Sequence, residues 1–340
     1  MNVGLMFSFR NPPKWKKPWA DVYATQLEQA RLSEELGYDT VWLTEHHFAE
    51  DGYSPSLLTI AGAVAATTRR VRIGTFLLLL PLHNAVRVAE DAATVDVISR
   101  GRLDLGIGKG YAKHEFLGYG IPSKQRASRF EEGIDVLRGI WMEDPFSYQG
   151  KYYQLQDIRL TPKPVQQPHP PLWIGALNPK AVDRAARLGH HFLGIGDTSV
   201  YDEALRRHGR KPEDFNVAQL LWVHVAPSRD QGWDEAQEHV HWMLTVYGKW
   251  LGEAGEMQGP PTIFNPPPAK ELRDTKEPLL FTPIIGTADE VGRALDDFVA
   301  KNRTTHLVLG MHIPGLDPNV TRRSMETFAR ELLPHFQKKN

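Results

Sequence analysis

Short apolar segments alternate with helical patterns along nearly the whole chain, and that alternation restricts the fold more than any other feature of the sequence. Apolar runs at 3–9, 40–48, 72–80, 103–108, 172–176, 191–196, 217–225 and 306–310 read as strands. Helical periodicity fills the stretches between and after them, at 21–35, 56–67, 84–99, 128–141, 179–188, 200–208, 230–251, 288–301 and 319–332. Strands separated by helices pair in parallel, and a parallel sheet is covered on both faces. The run RIGTFLLLL at 72–80 is nearly continuous in its hydrophobicity, as double burial requires. At 340 residues the chain suits an α/β fold, one (β/α)8 TIM barrel spanning 1–340, with a doubly wound sheet as the weaker option. Two stretches break the rhythm. FSYQGKYYQL at 146–155 reads as a small β-hairpin insertion, and the Pro- and Gly-rich run 252–283, after the seventh strand, as a long excursion that is either a mobile lid or disordered.

Composition narrows the function. With 40 Lys plus Arg against 41 Asp plus Glu, the net charge of −1 favours neither nucleic acid nor an anionic membrane as partner. A small-molecule ligand is the expectation. The absence of Cys excludes disulfides, thiolate metal sites and a thiol nucleophile. The start, MNVGLMFSF, has no basic leader and runs into the first strand. No apolar stretch nears the ~20 residues that span a bilayer, so a soluble cytoplasmic protein is expected.

In such a barrel the loops that follow the strands converge at the strands' carboxyl ends, and active sites sit there. That rule selects Glu45, His46 and His47 after strand two, 75–77 after strand three, 109–111 after strand four, 176–178 after strand five and 194–197 after strand six. Glu-His-His invites a metal, yet successive strand residues face opposite ways, and a third convergent ligand is not evident even with His83. No metal is therefore expected, and His47 reads as a structural histidine bonded to nearby backbone. A single imidazole at position 46 can act as acid or base near neutral pH, or be a satisfied buried polar group; the residues alone leave both open. Gly106-Ile-Gly-Lys-Gly110 and Gly175-Ala-Leu-Asn-Pro-Lys180 are two anion-friendly turns on adjacent loops, the second opening a helix, and together they suggest one phosphorylated cofactor.

These segments carry a resemblance over nearly the whole chain. GYDTVWLTEHHF at 37–48, VRIGT at 71–75 running to Pro81-Leu-His83, VRVAE at 86–90, GRLDLGIGKGY at 101–111, PPLWIGA at 170–176, NPKAVDRAARLG at 178–189 and IGTADE at 285–290 occur in the order seen in the bacterial luciferase-like, flavin-dependent monooxygenases, and the chain resembles that family. The resemblance implies a (β/α)8 barrel that takes reduced FMN from a separate flavin reductase. It then uses O2, through a C4a-peroxyflavin, to oxygenate a small organic substrate. The isoalloxazine is expected against Thr75, Phe76 and Leu77, where the family's non-prolyl cis peptide maps to Phe76-Leu77. Glu45 falls near the flavin ring, and His46 matches the histidine credited with proton transfer or with stabilising the flavin peroxide. Cofactor contacts are expected from Lys109 and Tyr111 after strand four and from Gly175, Ala176, Leu177, Asn178 and Ala181 after strand five.

Three departures from the family pattern stand out. Lys109 replaces the usual Arg and cannot grip phosphate bidentately. The turn at 177–181 lacks the family's hydroxyls, and Asn84-Ala85 stands where His/Asp-Pro is common. Phe9, Trp222 and Trp250 suggest an apolar substrate pocket, with core packing as the alternative for each. Two other functions remain in view: deazaflavin-dependent hydride transfer, and a flavin-binding subunit without turnover. A homodimer is expected from the resemblance, through the Ala-rich helices at 56–67 and 84–99, whose small residues allow close approach.

Overall fold

A computed structural model describes residues 1–255, 257 and 259–338. Eight strands form a closed parallel barrel: β1 (Asn2–Phe7), β2 (Thr40–Leu43), β3 (Arg72–Thr75), β4 (Leu103–Gly108), β5 (Leu172–Gly175), β6 (His191–Gly194), β7 (Val217–Val225) and β8 (His306–Gly310). Each pairs with the next in chain order, and β8 closes on β1 with His306 opposite Asn2. Around them run α1 (Trp19–Glu35), α2 (Leu57–Thr67), α3 (Ala85–Ser99), α4 (Arg126–Met142), α5 (Pro179–Leu188), α6 (Ser199–Arg207), α7 (Arg229–Ala254), α8 (Ala288–Lys301) and α9 (Pro318–Glu331). The expected TIM barrel is the fold observed.

The strands bury side chains on both sides. Outward residues such as Leu5, Val41, Ile73 and Leu105 join the helices in one core, and inward residues fill the barrel. Trp42 dominates the inside, with its ring edge-to-face against Trp173 at 5.6 Å. Its neighbours make room for it: a Cβ at Gly4 would lie 2.8 Å from the Trp42 ring, and one at Gly74 2.2 Å from it. Glycine at those two positions lets β1 and β3 pair closely with β2 while the indole plugs the barrel below the site.

The run 72–80 is not one strand. β3 stops at Thr75, a cis peptide joins Phe76 to Leu77, and Leu78–Leu79 pairs again with the end of β4. Periodicity cannot register this break, because apolar side chains continue through it. A short helix, Lys113–Gly118, follows β4 and also escapes the pattern, being too short to repeat. The hairpin forms as Phe146–Gln149 antiparallel to Gln154–Ile158, and the Tyr153 hydroxyl accepts from Ala85 N–H at 2.9 Å.

In the excursion 252–283, Glu256 and Gln258 lie outside the described residues. The rest is folded back rather than extended. α7 continues to Ala254, the turn Pro261–Phe264 follows, and its carbonyls come so near Gly248 that a Cβ there would be 2.6 Å from Phe264 O. Leu272 is buried, and Phe281 lies 5.6 Å from Trp222. Ile284–Gly286 then adds to the end of β7.

Candidate active site

Beyond Leu43 the chain leaves β2, and 44–47 stay buried. His46 and His47 turn to different partners, as their adjacency dictates. His46 Nδ1 lies 2.9 Å from Glu115 Oε1, and the His47 backbone N–H donates to the same oxygen at 2.9 Å. Glu115 sits on the short helix after β4 with no exposure. A carboxylate on Nδ1 holds the proton there and leaves Nε2 to accept or deliver one. The imidazole is walled by Tyr53, Trp250, Tyr111 and Tyr247, with centroids 4.7, 4.8, 5.6 and 6.2 Å away. Glu115 was missed in the sequence, although it stands in a loop at the carboxyl end of a strand, where the barrel rule says to look.

Glu45 faces another group. Its Oε2 accepts from Leu79 N–H at 2.6 Å, its Oε1 lies 2.8 Å from His83 Nε2, and His47 Nε2 stands 3.0 Å from that oxygen. His47 Nδ1 meets the Tyr119 hydroxyl at 3.1 Å. The backbone partner expected for the His47 ring is not found among the described residues: the ring meets a carboxylate and a phenol instead. Burial pushes the Glu45 carboxyl up, and hydrogen bonds from His47 and His83 overcome that and hold it down at about 2. Burial lowers His83 and its contact with Glu45 raises it further, for a net rise. The missing third ligand is a correction: Glu45, His47 and His83 do converge, with ligand-type atoms within 4.8 Å of one another. Glu45 is hydrogen-bonded to His83 and in ion-pair contact with His47, and it anchors Leu79 just beyond the cis peptide.

The residues expected to hold a cofactor gather at the ends of β3, β4 and β5. Thr75 is buried, donating to Gly106 O at 2.6 Å and accepting from Gly106 N–H at 2.8 Å. Phe76 and Leu77 are half-buried, and Leu77 lies over the strand ends, where a Cβ at Gly175 would be 2.0 Å from it. Lys109, Tyr111, Ala176 and Asn178 are also half-buried, while Leu177 and, on the next loop, Ile195 are 46% and 41% exposed. An apolar shelf left open in this way fits a flat ring system such as a flavin. Asn178 caps α5, its Oδ1 accepting from Ala181 N–H at 3.0 Å, and Pro179 has no N–H to offer.

Of the three aromatics read as a substrate pocket, Trp250 stands in His46's aromatic wall, and the other two make their ring contacts elsewhere. Phe9 is fully buried and packs on Tyr23 of α1 at 4.9 Å, which makes it strand–helix core. Trp222 sits inside the barrel under Phe281. Arg10, at the end of β1, does reach the wall: its guanidinium carbon is 4.6 Å from the ring centroids of Tyr53 and Trp242 and 5.1 Å from that of Tyr247. Its position after the first strand was the available signal.

The chain is similar to known proteins over most of its length. Residues 1–304 match the family described as luciferase-like monooxygenase. The oxygenase component of the flavin-dependent trigonelline monooxygenase of Acinetobacter baylyi is 26% identical, over 93% of this chain and 90% of that one. The F420-dependent glucose-6-phosphate dehydrogenase of Microbacterium testaceum is 30% identical over 66% of this chain and 70% of its own length. The crystal structure of the monooxygenase RslO1 from Streptomyces bottropensis superposes with a TM-score of 0.83 at 26% identity, covering 99% of this chain and 100% of that one. With these matches, and with a barrel whose strand ends carry an open apolar shelf beside a buried His–Glu pair, the chain belongs to the luciferase-like monooxygenase family of flavin-dependent oxidoreductases.

Proposed function

We propose that this protein is the oxygenase component of a two-component system, taking reduced FMN from a separate reductase and inserting one atom of O2 into a small organic substrate. The observation that carries this reading is His46, held by Glu115 inside an aromatic wall next to the apolar shelf. Bound reduced FMN supplies the electrons that activate O2. Phe76, Leu77, Ala176 and Leu177 receive its ring. Lys109, Asn178 and the first turn of α5 face its phosphate end, where an anion competes with the Asn178 cap for Ala181 N–H, and Tyr111 lies nearer the ring, beside His46. His46 Nε2 holds or delivers a proton at the reacting oxygen, and Glu115 keeps the imidazole in the required tautomer. Tyr53, Tyr111, Tyr247 and Trp250 exclude water, which otherwise diverts activated oxygen to hydrogen peroxide. Glu45 acts one step behind, positioning Leu79 and the segment that bears Phe76 and Leu77.

The test supplies reduced FMN, 18O2 and candidate substrates with a generic reductase and reads products by mass spectrometry. Incorporation of one 18O atom is expected. His46→Ala should bind reduced FMN within about threefold of the native protein and lose about 100-fold or more in product per O2 consumed; an unchanged yield removes His46 from the chemistry. The F420-dependent relatives favour a second reading, hydride transfer with a deazaflavin. Substrate-dependent bleaching of the deazaflavin without O2 uptake would establish that reading instead.

A further inference from the structure

Arg10 stands at the carboxyl end of β1, and the proposed chemistry makes no use of it. Its side chain is completely buried. A guanidinium has five N–H donors. The Nε–H donates to Asp51, the Tyr247 hydroxyl stands close enough to take one further N–H, and three donors of the outer edge are left without an acceptor. Buried donors without acceptors are rare in native proteins and ask for a reason. Aromatic faces supply part of it: Tyr53, Trp242, Tyr247 and Trp250 place their ring centroids 4.6 to 6.0 Å from the guanidinium carbon. Such faces stabilise a cation, but apart from the Tyr247 hydroxyl they give its N–H bonds no oxygen to point at.

Three of these rings, Tyr53, Tyr247 and Trp250, are also the wall around His46. Arg10 and His46 therefore reach one aromatic enclosure from different strands. Asp51 grips only the Nε side, so the two terminal nitrogens stand as a fork, the geometry that matches a carboxylate with two parallel hydrogen bonds. Burial alone would lower the guanidinium's pKa, but Tyr247, Asp51 and Tyr53 raise it, and the group stays charged.

We propose that the substrate is a planar, aromatic carboxylic acid whose carboxylate binds Nη1 and Nη2 of Arg10 and whose ring lies among Tyr53, Tyr247 and Trp250, with its reacting edge toward His46. This rests on the reading of the His46 site as the place of reaction. It replaces a purely apolar substrate with an amphipathic one: the rings remain the walls, and a buried cation marks one end. Tyr247 and Trp250 both belong to the last turns of α7 and stand against Arg10.

The test titrates full-length protein with benzoate and with benzamide, its neutral counterpart of the same shape, by calorimetry and tryptophan fluorescence, with and without flavin. Benzoate should bind at least about tenfold tighter, the span of a charge-assisted hydrogen bond. Arg10→Met alone strands a buried Asp51 and risks unfolding, so Arg10→Met/Asp51→Asn, which removes both charges, carries the comparison. In that variant the two ligands should bind within about threefold of each other. Arg10→Lys should keep part of the preference, as a cation without the fork. Equal binding in the native protein, no binding of either ligand, or a benzoate preference that survives the paired variant overturns the proposal. The 18O assay on the same preparations separates the two readings: benzoate preference without oxygenation sinks the oxygenase and leaves Arg10 as an acid site, and oxygenation without benzoate preference sinks Arg10 alone.

Discussion

Glu45 holds two imidazoles and a backbone N–H with two oxygens, and that arrangement has a signature in pH. Its carboxyl sits at about 2 against an ordinary 4.5, so its contribution to stability is present above 4.5 and lost as pH falls toward 2. His83 is shifted the other way, above its ordinary 6.5. Its contribution is complete below 6.5 and disappears as pH rises through the elevated value. Unfolding free energies from urea titrations between pH 6 and 9 should therefore fall more for the native protein than for His83→Gln. Parallel curves for the two proteins would count against a charged His83–Glu45 pair. Positions 45, 46 and 47 stand out in the sequence because a packed strand ends abruptly in three polar groups. Their partners do not: Glu115 is 69 residues from His46, His83 is 38 from Glu45, and Asp51 and Arg10 are 41 apart. A lone Glu or Arg in a loop is unremarkable until the barrel closes around it.

Among elements, β3 and β4 pack more tightly than hydrophobic pattern can express. Thr75 exchanges two hydrogen bonds with Gly106, and a Cβ at Gly106 would lie 1.9 Å from Thr75 O, a backbone atom with no freedom to retreat. Gly106→Ala should cost about 3 kcal/mol or more and disturb the Phe76–Leu77 segment as well. Gly62, in the middle of α2, has nothing within 4 Å of its notional Cβ, and Gly62→Ala should stabilise by about 0.5 to 1 kcal/mol through helix propensity alone. Thermal or chemical denaturation of the two variants checks both signs, and the element assignment fails if they move together. Helices and strands were largely legible, since their periods of 3.6 and 2 are written in side-chain type. The break after Thr75 and the helix Lys113–Gly118 were not, because one is imposed by Glu45 and Gly106 from other strands and the other is barely more than a turn.

For the whole molecule, the expected homodimer changes in its basis. Ala61, Ala65, Ala89, Ala92 and Ala93 face inward and are buried within the chain, so the small residues of α2 and α3 serve helix packing here. What α3 leaves outside is Val97 and Ile98, 39% and 46% exposed. We expect sedimentation at micromolar concentration to give twice 38.5 kDa, and Ile98→Glu to shift it toward one chain's mass. A native protein that sediments as a single chain removes the dimer. Among the described residues no helix is long and apolar enough to cross a membrane. The folded-back excursion packs on Trp222 and on α7, a placement that loop composition alone left open. By itself the sequence determined the eightfold alternation, hence the barrel, and with it the end of the barrel where chemistry sits, because local periodicity and strand–helix order suffice for both. Which side chains meet there was decided only by the tertiary structure. His46 with Glu115, Glu45 with His83, and Arg10 with the rings of α7 come from different strands and loops, and closure of the sheet is what brings them within hydrogen-bonding or ring-contact distance.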